Sequence, residues 1–233
     1  GRLPGGSILV MGGDQAYPEA TRKNYQARLQ LAYDWAFDTE KPERKLFVLP
    51  GNHDWYDGLS AFDNLFCGLR DPLTKEGSSK IGGWATRQHR SYWAIRLPHD
   101  WWIWGCDIQF SSYLDDGQIG YFDTVADQMC PGHKVILCLA EPSWLLQQKE
   151  YDEHENLNAI TMLARKRGAK VLAVIAGDSH HYARYTSEDI GTNFITAGGG
   201  GAFLHATHDL RAEVSISWPM PVGTEESGLS PPV

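Results

Sequence analysis

The sequence predicts an α/β protein, because it twice alternates apolar strand, amphipathic helix and apolar strand, and because glycines follow those strands directly. In the first series, Ser7 to Gly12 is a short apolar run ending in glycines. Tyr25, Leu29, Ala32, Tyr33 and Ala36 then recur at helical spacing, and Lys45 to Leu49 is apolar again. Such βαβ units are parallel and right-handed in nearly all cases, so loops 13–18 and 50–55 are expected side by side at the carboxyl ends of neighbouring strands. Asp71 to Arg87, rich in Gly, Ser and charge without periodicity, is expected to be a long surface loop. Ser91 to Leu97 and Asp100 to Asp107 read as two aromatic strands around the Pro98 turn. The second series runs through a helix (Gln118 to Met129), a strand (His133 to Ala140), a helix (Glu153 to Arg167) and a strand (Lys170 to Ala176). Beyond Tyr182, short strands at Asn193 to Ala197 and Glu213 to Trp218 flank the Gly198 to Gly201 run. No repeat or linker divides the chain, so one domain is expected over 1–220, with a tail at 221–233.

Composition narrows the function. With 42% hydrophobic and 21% charged residues the chain has enough apolar material for a packed core, which excludes disorder. Its formal charge of -8 makes it a poor binder of polyanions, so long nucleic acid is not an expected partner. Apolar runs such as Val135 to Ala140 fall far short of the roughly 20 residues that span a bilayer, and no membrane segment is expected. Cys67, Cys106, Cys130 and Cys138 share no short spacing and read as unpaired core thiols, which favours a reducing compartment. The first six residues carry no signal-peptide pattern, and a cytoplasmic location is the expectation.

The chemistry gathers at the strand ends. Gly13-Asp14 follows the first strand and Gly51-Asn52-His53-Asp54 the second, and glycine there lets the backbone bend sharply at the mouth of the sheet. A carboxylate and an amide oxygen on adjacent loops make a site for a hard cation, and a neighbouring imidazole can donate a proton. The plainer reading, that Asp14 and Asp54 cap the following helices, accounts poorly for the whole four-residue block. Gly177-Asp178-Ser179-His180-His181 repeats the design after a third strand, and Glu141 stands where Val135 to Ala140 leaves the sheet. Gly198 to Gly201, followed by His205 and His208, is either a tight bend with surface histidines or a further contact to metal or substrate. His89, His99, His133 and His154 belong to no constellation.

In order and approximate spacing, Gly13-Asp14, Gly51-Asn52-His53-Asp54, the polar residue ending a strand and Gly177-x-x-His180 resemble the calcineurin-like metallophosphoesterases, over nearly the whole chain. The resemblance implies a four-layer α/β/β/α sandwich of two mixed sheets with a pair of divalent metals at the strand ends. It implies that Asp14 bridges both metals, Asn52 binds the second and His180 the first. Water between the metals would be the nucleophile, with His53 contacting the phosphoryl group and protonating the leaving oxygen as general acid. The function so implied is metal-dependent hydrolysis of a small phosphoric mono- or diester.

This chain departs from the family pattern in three places. The opening Asp-x-His of the first metal site does not stand before Gly13, Glu141 replaces a usual His, and Gly177-Asp178-Ser179-His180 replaces Gly-His-x-His. The oxygen set Asp14, Asn52, Glu141 and Asp178 favours Mn²⁺ or Mg²⁺ over zinc or iron. Asp14, Asn52, His53, Asp178 and His180 are expected in one cleft, with Glu141, and His181, His205 and His208 as further contacts to metal or substrate. The competing expectation is a non-catalytic domain of the same fold that serves as a structural or partner-binding module.

Overall fold

Two mixed sheets are built from these runs, within two compact units, Gly1–Trp93 and Ala94–Val233. The computed structural model describes residues 6–37, 44–68, 79–109, 114–145, 154–188, 190–200, 203–208, 210–216 and 218–219. The tail expected at 221–233, residues 71–78 of the expected loop, and Gly201 in the glycine run lie outside the described residues.

The first unit holds β1 (Ile8–Met11), β2 (Arg44–Val48), β3 (Lys80–Ile81) and β4 (Trp84–Thr86) in the order β1-β2-β4-β3. β1, β2 and β4 are parallel, with Met11 opposite Val48, so the first strand, helix and strand form the expected parallel unit. The connecting helix, α1, spans 22–36, and the Thr21 hydroxyl accepts the Asn24 N–H at its start. Its middle, Tyr25–Gln30, is wound as a π-helix, and Tyr25 and Leu29 are the buried side of that turn. A second helix, α2 (Ser60–Phe66), was not foreseen. Seven residues do not make a stable helix alone, but Phe62 and Phe66 are fully buried, each worth about 1.5–3 kcal/mol.

The expected loop 71–87 also needs correction, since β3 and β4 lie in it as an antiparallel pair with Ile81 opposite Trp84. Gly82 and Gly83 join them with φ of 55° and 91°, the left-handed pair that a two-residue hairpin turn requires. The Gly82 N–H donates to Asp34 of α1 at 2.7 Å, and a Cβ on Gly82 would meet the Tyr33 carbonyl oxygen at 3.0 Å. At its carboxyl end β2 is held by side chains. Val48 N–H donates to Gln88 Oε1 at 2.6 Å, and Gln88 Nε2 and Trp93 Nε1 donate to the Val48 carbonyl at 2.8 and 2.9 Å. These bonds fix where the strand stops, three residues before Gly51.

The second unit carries β5 (Trp93–Leu97, starting on the last residue of the first unit), β6 (Trp101–Gly105), β7 (Lys134–Leu139), β8 (Lys170–Ala176), β9 (Tyr182–Ser187) and β10 (Thr192–Ala197). Their order is β5-β6-β7-β8-β10-β9, with β6, β7, β8 and β10 parallel and β9 antiparallel to β10. α3 (Asp116–Ala126) starts at Asp115, whose carboxylate accepts the Gln118 N–H. α4 (His154–Arg165) buries Leu157, Ile160, Thr161 and Ala164 along one stripe. Edge strand β9 has no apolar run to announce it, and its residues alternate between exposed and half-buried. Conversely, the strand expected at Glu213 to Trp218 is absent among the described residues. Trp218 instead packs edge-on against Phe194 at 5.2 Å. No described helix is long and apolar enough to cross a membrane.

Candidate functional site

In the first unit, the loops after β1 and β2 are locked backbone to backbone. A Cβ on Gly13 would lie 2.3 Å from the Gly51 Cα, and one on Gly51 would lie 2.2 Å from Asp14 Oδ1. Only glycine fits at either place. Asp14 itself has φ 59°, a left-handed conformation that a short carboxylate side chain tolerates. Its Oδ1 accepts the His53 N–H at 3.0 Å, so the carboxylate of one loop caps the short 3-10 helix His53–Asp57 of the other.

Asp54 fastens the pair. Fully buried, its Oδ2 accepts the Asp14 N–H at 2.8 Å and the Gly51 N–H at 2.7 Å, and its Oδ1 accepts the Tyr25 hydroxyl. Burial pushes the Asp54 carboxyl up to about 6, while the three donated bonds pull it down. Burial and the Asp54 charge together raise the Tyr25 phenol, so it remains a donor. Asp54 is thus the brace of the site and neither a ligand nor a cap.

Asn52 makes no side-chain cap for the helix it precedes, and its Oδ1 is buried with no hydrogen-bond partner. Leaving such an atom unsatisfied costs about 1–3 kcal/mol, a cost that a cation or donor from outside the chain would relieve. With the Asp14 carboxylate it offers the oxygen donors a hard cation takes. His53 Nδ1 lies 2.5 Å from the Pro18 carbonyl oxygen. A carbonyl only accepts, so Nδ1 carries the proton and Nε2 is left for proton transfer.

The second unit gathers its polar residues at the carboxyl ends of parallel strands. The Gly177 N–H donates to the Ala140 carbonyl at 3.0 Å, so Glu141 and Asp178, both half-buried, leave neighbouring strands side by side. Asp178 has φ 55°. Two tight i to i+2 bonds, Ser179 N–H to Gly177 O and His181 N–H to Ser179 O, both 2.6 Å, coil the loop behind it. Gly198, after β10, packs on this coil, where a Cβ would stand 2.2 Å from the Ser179 carbonyl oxygen. The His180 ring stacks on His205 at 4.5 Å and 16° and meets Phe203 edge-on at 4.5 Å. His205 Nδ1 accepts the His180 N–H at 3.1 Å, and the His205 N–H donates back to the His180 carbonyl at 3.0 Å. A neutral His205 therefore carries its hydrogen on Nε2, which suits it to an anionic oxygen better than to a metal. His181 is buried with neither ring nitrogen hydrogen-bonded, and burial followed by His205 lowers its pKa, keeping the ring neutral. His208 is exposed.

The structure thus brings Asp14, Asn52 and His53 together in one unit, and Glu141, Asp178, His180, His181 and His205 to one end of the sheet in the other. Among the described residues, no three His, Cys, Asp or Glu side chains stand close enough to hold a metal ion; Asn52 is outside that donor class. Sequence reasoning missed Tyr25 and the bracing role of Asp54. Two of the histidines outside the constellations have structural partners. His154 pairs with Ser143 Oγ at 3.1 Å, and His133 Nδ1 accepts from Trp102 Nε1 at 3.1 Å. None of the cysteines is in a disulfide, but Cys130 is exposed and not a core thiol. No family model matches the chain, and no curated protein matches it.

Proposed function

We propose that this chain is a metal-dependent hydrolase of small phosphoric esters, with the four-layer α/β/β/α sandwich of the calcineurin-like metallophosphoesterases. The observation that carries the reading is the buried, unpartnered Asn52 Oδ1 in the loop pair that also holds Asp14 and an oriented His53. The reading assigns Asp14 and Asn52 in one unit, and Glu141, Asp178 and His180 in the other, to two divalent cations, with Mn²⁺ or Mg²⁺ preferred. Bound cations supply neutralisation of phosphoryl charge and activation of water.

The chain's own residues do the rest. In the hydrolysis a bond forms from water oxygen to phosphorus, the phosphorus–ester oxygen bond breaks, and water's proton leaves to solvent. His53, with both ring nitrogens protonated, gives its Nε2 proton to the departing oxygen and takes one back from solvent. The Nδ1–H bond to the Pro18 carbonyl keeps the ring oriented before and after the transfer.

The test is hydrolysis of phosphoesters by chelated full-length protein reconstituted with each ion separately. Mn²⁺ or Mg²⁺ is expected to restore activity best. His53→Ala is expected to slow turnover about 10² to 10⁴-fold with metal content unchanged. Equal loss of metal in His53→Ala and Asn52→Ala contradicts the assigned roles. Full activity with Zn²⁺ alone contradicts the oxygen-rich ligand set, and bound metal without turnover favours a structural or partner-binding module.

A further inference from the structure

The residues around His53 describe the organic half of the substrate. A 3-10 helix has three residues per turn, so in His53–Asp57 the side chains of His53 and Tyr56 fall on one side. Their rings meet at 4.7 Å, and Tyr17, from the loop after β1, meets His53 at 4.5 Å. The imidazole therefore lies in contact with two tyrosine rings, of which Tyr56 is 63% exposed. Arg28 of α1 donates to the Tyr17 backbone carbonyl. It braces that loop, and no described contact turns it toward a second phosphate.

We infer that Tyr17 and Tyr56 select a phosphoester whose leaving group is planar and aromatic, an inference that rests on the phosphoesterase reading. The link is chemical. If His53 Nε2 protonates the departing oxygen, the carbon group on that oxygen must lie against the side chains next to His53, and these are tyrosine rings. Ring faces and edges give an aromatic group offset or edge-on contacts that a saturated group of the same size does not make. Tyr56 provides the exposed face, and Tyr17 is the second wall.

The experiment compares kcat/KM of the metal-reconstituted full chain for benzyl phosphate and cyclohexylmethyl phosphate. Both are esters of primary alcohols of similar size and acidity, so the comparison isolates the aromatic ring. The wild type is expected to favour benzyl phosphate about tenfold. Tyr56→Phe is expected to keep that ratio and Tyr56→Leu to bring it within about twofold. A wild-type ratio near one, or a ratio unchanged in folded Tyr56→Leu, overturns the inference and leaves the phosphoesterase reading standing. If Tyr56→Leu slows both esters equally, the ring merely supports His53 and the inference also falls. No turnover of either ester by the metal-loaded protein overturns the functional reading and the inference together.

Discussion

The loop pair of the first unit and the strand-end loops of the second start from the same device and finish it differently. In each, a parallel strand ends in glycine followed by a left-handed aspartate, Asp14 at φ 59° and Asp178 at φ 55°. Behind Asp14 lies a buried carboxylate that receives two backbone N–H groups and a phenol. Behind Asp178 there is a coil of backbone bonds, a stack of two imidazoles, and a buried His181 whose ring nitrogens have no partner. A buried charge with its donors satisfied sets geometry before any ligand arrives. Unsatisfied buried nitrogens instead cost stability until something binds. The first site is braced in advance and leaves Asn52 Oδ1 unsatisfied within that brace, whereas the second leaves both ring nitrogens of His181 unsatisfied with no such brace behind them.

The largest expected effect tests the organised half. Asp54→Ala leaves the Asp14 and Gly51 amides and the Tyr25 hydroxyl without their acceptor, and denaturant unfolding should show a loss of about 3–5 kcal/mol. Cysteine labelling localises the damage, because Cys67 is buried in the first unit and Cys106 in the second. In native protein, Ellman's reagent should modify exposed Cys130 first. Burial pushes the Cys138 thiol up to about 12 and the Cys106 thiol well above its usual value, so both should resist. Asp54→Ala should speed labelling of Cys67 while Cys106 stays slow. Equal acceleration of both would mean that Asp54 holds the whole chain and not one loop pair.

Smaller effects are expected in the second unit, and of opposite sign. His181→Leu removes two unsatisfied nitrogens at similar volume and should stabilise the metal-free protein by about 1 kcal/mol in the same unfolding measurement. The pH dependence follows from the lowered pKa of His181. Its stabilising contribution is present above the ordinary value of 6.5 and is lost as pH falls below it, because the unfolded chain takes up the proton first. Wild-type stability should therefore fall on acidification below 6.5 more steeply than that of His181→Leu. If His181→Leu destabilises by several kcal/mol, the ring has a structural partner and the contrast between the two regions fails.

What could be read in the sequence was local. Glycine, a polar residue and an imidazole directly after an apolar strand mark Asp14, Asn52 and His53, because backbone bending and side-chain chemistry sit in adjacent positions. The brace could not be read, since Asp54 meets Asp14 across 40 residues and Tyr25 across 29, and nothing in the intervening spacing encodes that contact. His205 was undecidable for the same reason, its ring being committed by a backbone N–H 25 residues away. The hairpin at Ile81-Gly82-Gly83-Trp84 carried a turn signal, but strands of two and three residues show no period inside a polar stretch. Edge strand β9 was lost because it is largely solvent-facing and never needed an apolar run.

The central claim is that Asn52 Oδ1 is a metal ligand, and the most direct test is calorimetric titration of metal-stripped full-length protein with Mn²⁺, alongside Asn52→Ala and Asp178→Asn. The account predicts saturable binding by the wild type, with both substitutions weakening it or removing one equivalent. Wild-type affinity and stoichiometry in Asn52→Ala, with that variant folded, would contradict the claim.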